Sequence, residues 1–176
     1  MITVLPNGTI KVNISKEMIE IAQLHAEEVK EKKKVDPHSI RKGGGTVAGS
    51  LGELIVGLVY KDWDWNNSYD YDFTCNGISI DVKTKDRTIR PQLSFDASVS
   101  AYNTKQNCDL YMFVSITRDK ETNQYIHGYI MGAIPKVDYF EKSKFWREGE
   151  IDTSNDWRAS CDCYNIQYKE LEHIPV

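Results

Sequence analysis

The 176-residue chain is 40% apolar and 27% charged, the mixture of a single globular domain long enough to bury a core. Its net charge of −4 argues against nucleic-acid binding by bulk charge alone, though not against an enzyme whose acids are neutralised by bound cations. No apolar run approaches the ~20 residues that span a bilayer, and MITVLPNGTIKV has no basic start followed by an apolar stretch, so the cytoplasm is the expected location.

Residues 1–35 are expected to form a hairpin and a helix. Residues 2–5 and 9–14 read as two strands around Pro6-Asn7-Gly8. Ser15 starts a helix with Glu17 in its first turn, and Met18, Ile21, Ala22 and Val29 share one face at helical spacing. The helix runs into the basic KEKKK at 30–34 and stops by Asp36-Pro37. Gly43, Gly44 and Gly45 make a joint that lacks the signature of a phosphate loop.

A second helix is predicted over 46–60, with Val47, Leu51, Leu54, Ile55 and Leu58 as its buried stripe. Gly49, Gly52 and Gly57 suggest a close approach to a sheet. Glu53 is the only acid in this apolar helix.

The stretch YDYDFTCNGISIDVKTK (69–85) carries a hairpin signal at Asn76-Gly77, because a type I′ turn needs positive φ at both central positions. A two-residue loop pairs Cys75 with Ile78, Thr74 with Ser79, Phe73 with Ile80 and Asp72 with Asp81, and brings Asp70 opposite Lys83. Asp70, Asp72, Asp81 and Lys83 then project from one face, while Phe73, Cys75, Ile78, Ile80 and Val82 point into a core. Two directly opposed carboxylates, with Cβ atoms ~5 Å apart, are destabilising unless compensated. Lys83 is one compensating group and a hard divalent cation is another, since oxygen ligands suit Mg²⁺ or Mn²⁺.

Further along, 96–105 reads as a short helix, 109–116 and 125–134 as buried strands, 137–146 as a helix, and 163–168 as a last strand after an irregular acidic segment. The core is expected over about 46–134, with 135–176 as a C-terminal elaboration of the same domain. The class is α/β, a mixed central sheet flanked by helices. Of the four cysteines, only Cys161 and Cys163 form a close pair, and it faces no second pair, so reduced structural thiols are expected rather than a zinc site.

An acid-bearing helix, then D-x8-D-x-K across a hairpin, then a helix and a further strand, resembles the PD-(D/E)-x-K nucleases, the restriction-endonuclease-like superfamily. The resemblance covers residues 46 to 116 and implies that family's αβββαβ core, with a short strand near Trp63–Trp65 as its first strand. It implies that Asp72, Asp81 and the backbone carbonyl of Val82 bind Mg²⁺, with Mn²⁺ as a substitute, and that Glu53 joins them directly or through water. Lys83 is then the lysine that orients the attacking water or stabilises the phosphorus, and DNA is cut to leave 5′-phosphates. Two departures stand out: Tyr71 precedes Asp72 where the family has Pro, and Asp81 replaces the commoner Glu. Asp70 is a rival for the first acidic position. Lys85, Arg87 and Arg90 are either phosphate partners or solvated loop charges, and Trp63, Trp65, Tyr69 and Tyr71 either stack on bases or pack in the core. His127 is expected to be structural. The alternatives are a non-catalytic binding member of the fold, a recombination exonuclease, or a junction resolvase. A homodimer would suit cleavage of both strands.

Overall fold

The computed structural model describes residues 1–32, 46–66, 68–154 and 156–175. The basic run beyond Lys32, Asp36-Pro37 and Gly43–Gly45 therefore lie outside the described residues.

The chain opens with β1 (Ile2–Val4) and β2 (Ile10–Asn13), turned at Gly8 with φ +82°. The Ser15 hydroxyl accepts the Met18 N–H at 3.3 Å, capping α1 (Lys16–Lys32). Met18, Ala22 and Ala26 are its buried residues; Ile21 is 51% exposed and does not belong to the core face. In α2 (Thr46–Val59) the buried stripe is Leu51, Ile55, Val56 and Val59, while Leu58 points outward. The stripe has turned because the helix packs on both the sheet and α1. Of its glycines, only Gly52 is forced by contact: a Cβ there would overlap the Thr84 hydroxyl. Gly49 faces open space, and a Cβ at Gly57 would make an ordinary contact with Phe73.

Next come β3 (Asp64–Trp65), β4 (Phe73–Cys75), β5 (Ile78–Arg87) and β6 (Asp96–Ser100). The helix expected over 96–105 is not formed. Its first half is β6, in which Ala97 and Val99 alternate inward, and its second half is a 3-10 turn, Ala101–Lys105, capped by the Ser100 hydroxyl. After β7 (Leu110–Arg118) and β8 (Tyr125–Pro135), the helix expected over 137–146 is only α3 (Lys136–Lys142), because Lys144–Trp146 leaves as β9 to pair with a later strand. The acidic segment holds a small hairpin, β10 (Ile151–Asp152) and β11 (Trp157–Arg158), before β12 (Cys163–Gln167).

The main sheet has seven strands in the order β1-β2-β8-β7-β5-β4-β3. Its β5–β7 pair is parallel and the others are antiparallel, giving a mixed α/β architecture. One face packs Ile80, Val82, Met112, Val114 and Ile116 against α1 and α2. The other packs Tyr111, Phe113, Tyr129 and Met131 against Tyr139 of α3 and a second sheet, β6-β12-β9. Burial on both faces explains the unbroken apolar run of β7. The four cysteines are free. No described helix is long and apolar enough to cross a membrane.

Candidate active site

The site grows from the β4–β5 turn. Asn76 (φ 50°) and Gly77 (φ 81°) both occupy the left-handed region, and the register is Phe73↔Ile80, Thr74↔Ser79 and Cys75↔Ile78, as the turn type requires. Phe73, Ile80 and Val82 are buried as expected, whereas Ile78 at the turn is half exposed. The ladder then stops. The Asp72 N–H donates to the Ile80 carbonyl at 2.9 Å, and the Asp72 Oδ2 accepts the Val82 N–H at 2.7 Å. A side chain thus takes the place of the next main-chain bond. The chain bends away because Ser68 gathers it: the Ser68 hydroxyl accepts the Asp70 and Tyr71 N–H groups and donates to the Tyr71 carbonyl. In a strand, the N–H and C=O of one residue face the same neighbour. The Val82 carbonyl accordingly faces the β4 side, where the ladder has ended.

Asp72 and Asp81 are 8% and 3% exposed, and their carboxyl groups lie near enough for each to act on the other's titration. Burial pushes both above the usual carboxylate range. For Asp72 the charge on Asp81 adds to that rise, against the Val82 N–H and the Lys83 ammonium. For Asp81 the main opposing group is Lys83, whose ammonium forms an ion pair with Oδ2 and lies 5.8 Å over the Tyr111 ring. A pair of carboxylates this close and dry holds one proton between them, or a cation in its stead.

Two residues that sequence reasoning did not assign complete the surroundings. The Lys83 ammonium donates to Oε1 of Gln106 at 2.7 Å, and Nε2 of Gln106 donates to the Tyr69 carbonyl at 2.7 Å. Lys136, the first residue of α3, donates its ammonium to the Gln106 main-chain carbonyl and lowers the pKa of Asp81. A topological signal for Lys136 was available: β8 runs antiparallel to β7, so its end at Pro135 lies beside Leu110 at the start of β7. The expected Asp70–Lys83 pairing is absent. Asp70 instead accepts the Asn107 N–H at 3.0 Å, because the chain has already left the ladder. Cys108 is buried near Asp81, and burial raises its thiol to about 11, which keeps it protonated and unreactive.

The remaining candidates divide. Lys85 continues the row from Lys83 and donates to the Ser98 hydroxyl at 3.1 Å. Arg87 is taken up in packing: it donates to the Asp96 carbonyl at 2.9 Å and lies 4.9 Å over the Phe95 ring. Arg90 is exposed on the loop after β5. Trp63 stacks on Tyr60 at 4.2 Å and Tyr71 packs against the second core, whereas Trp65 and Tyr69 are 46% and 57% exposed.

Glu53 lies in helix α2 and is partly buried. Helix α2 packs on the Ile80/Val82 face of the sheet, opposite the face that carries Asp81, and no cluster of three or more His, Cys, Asp or Glu side chains is assembled to hold a metal among the described residues. Asp72, Asp81 and the Val82 carbonyl are hard oxygen donors, of the kind that would suit a divalent cation. Comparison with known proteins returns no matching family model and no matching curated protein.

Proposed function

We propose that the protein is a Mg²⁺-dependent DNA nuclease of the PD-(D/E)-x-K kind, an endonuclease leaving 5′-phosphates. The observation that carries the reading is the burial of two acids at the end of one hairpin, Asp72 bonded to the Val82 N–H and Asp81 next to Val82 in sequence, with the Lys83 ammonium against Asp81. Like charges gathered in a dry place lower stability unless a proton or cation neutralises them. The order of elements supports the same reading: an acid-bearing hairpin, then a strand parallel to its second arm.

Asp72, Asp81 and the Val82 carbonyl would hold Mg²⁺ or Mn²⁺. Bound there, the cation supplies positive charge beside the phosphate and acidifies a water molecule. Lys83 orients that water or donates to a non-bridging oxygen, where negative charge grows during in-line displacement. Lys85, two residues along the same strand, meets a neighbouring phosphate and Arg90 a more distant one. Exposed Tyr69 and Trp65 offer faces for unpaired bases. A homodimer would present one such site to each strand of a duplex.

A second reading is a nucleic-acid-binding protein without catalysis: among the described residues no cluster of three or more His, Cys, Asp or Glu side chains is assembled. Incubation with plasmid, single-stranded DNA, branched DNA and RNA, with and without Mg²⁺, separates the two. Cleavage that requires the metal and disappears in Asp81→Ala and Lys83→Ala supports the nuclease. Cleavage that survives a chelator or either substitution overturns it, and DNA binding without cleavage in Mg²⁺ or Mn²⁺ selects the second reading.

A further inference from the structure

Building on the nuclease reading, we propose that Gln106 is a positioning residue that spaces two ammonium groups, Lys83 and Lys136, on one side of the acid pair. Gln106 closes the 3-10 turn in an extended conformation (φ −60°, ψ 136°), its N–H returned to the Asn103 carbonyl. Three of its polar atoms are then committed: Oε1 to Lys83, Nε2 to the Tyr69 carbonyl, and the main-chain oxygen to Lys136. The partners dictate which way the amide faces. An ammonium only donates and a carbonyl only accepts, so the reversed amide would set NH₂ against NH₃⁺ and oxygen against oxygen.

A lysine on a flexible four-carbon stem beside a carboxylate would otherwise be held by the ion pair alone. Gln106 gives the Lys83 ammonium a second acceptor, so two of its three N–H bonds go to Asp81 and Gln106 and the third is left to be aimed. Lys136 is drawn to the main-chain oxygen of the same residue, and its charge is felt at Asp81 and Cys108. Each ammonium thus has an acceptor on Gln106. Both stand ready for the oxygens of one phosphate, over which charge spreads in phosphoryl transfer.

Gln106→Met removes both side-chain bonds at similar volume. Gln106→Glu keeps an acceptor for Lys83 but loses the donor to Tyr69. These variants, with Lys136→Met and Lys136→Arg, are compared with the wild type for kcat and KM on duplex DNA in Mg²⁺, and for the ¹⁵N NMR signal of the lysine ammonium groups. Gln106→Met is expected to lose tenfold or more in kcat with KM within twofold, and to lose the slowly exchanging Lys83 signal. Gln106→Glu should recover both in good part. Lys136→Met should lose several-fold in kcat, with partial rescue by Arg. A mere staple to the Tyr69 loop would make Glu as poor as Met, and that result overturns the proposal. So does wild-type kcat in Gln106→Met or in Lys136→Met, or a Lys83 signal that persists in Gln106→Met. Should the wild type cut no DNA, the nuclease reading falls, and the ammonium signals alone decide the spacing role.

Discussion

Oδ2 of Asp72 accepts the main-chain N–H of Val82 at 2.7 Å, so one acid of the pair is also a structural cap on the strand that carries the other. The two roles separate by substitution. Asp72→Asn keeps an acceptor for Val82, offers a donor to Asp81 and removes a buried charge. Without divalent cation at pH 8 it should be more stable than the wild type by about 1–2 kcal/mol. Asp72→Ala strands the buried Val82 N–H and should fall about 1–3 kcal/mol below the Asn variant. Chemical denaturation of the three proteins checks the order, and neither variant should cleave DNA.

Stability should depend on pH with a definite sign. The folded pair holds its proton more tightly than the unfolded chain, whose Asp groups titrate near ~3.9. The stabilisation from that proton is therefore complete below the unfolded value and is lost as pH rises through the raised folded one. A cation reverses the trend by taking the proton's place. Mg²⁺ should raise the melting temperature more at pH 8 than at pH 5, and Asp72→Asn should abolish most of the difference.

Asp81→Asn and Lys83→Ala should lower kcat by about 10²–10⁴-fold while changing the Kd for DNA only slightly, since their groups act at the reacting phosphate. Lys85→Ala should do the opposite, weakening binding and flattening its salt dependence with little effect on kcat. Single-turnover cleavage and salt-titrated binding distinguish the two patterns. Arg87→Ala belongs with neither, because Arg87 is engaged with Asp96 and Phe95; its loss should show as a lower melting temperature.

Two glycines of α2 give opposite expectations. Gly52→Ala forces a methyl group against Thr84 and should cost about 1–3 kcal/mol, relieved when Thr84→Ala is added. Gly49→Ala meets nothing within 4 Å and should stabilise by up to about 1 kcal/mol through helix propensity. Thermal melts of the single and double variants test both.

The acidic hairpin was legible because Asn76-Gly77 is a local code: a two-residue turn with both φ values positive dictates the pairing of its arms. Strands β7 and β8 were legible from apolar runs too long to be anything but buried. Residues 96–105 were misread because an Ala/Ser-rich stretch reads locally as a helix, and the partner that makes it a strand, β12, begins at Cys163. Asp70 was misplaced because the arithmetic of an unbroken ladder ran past Phe73, where the Ser68 turn intervenes. Gln106 and Lys136 could not be placed from spacing, since a parallel crossover brings Gln106 to Lys83 and an antiparallel return brings Lys136 to Gln106 from far along the chain.

The two-residue turn also limits how this protein can change over generations. One residue inserted in β5 ahead of Asp81 would swing both Asp81 and Lys83 toward α2 and carry Val82 to the opposite face in their place. Chemistry written on a strand is thus protected by parity rather than by length. Related chains that keep the site should differ in this arm by even steps, or not at all.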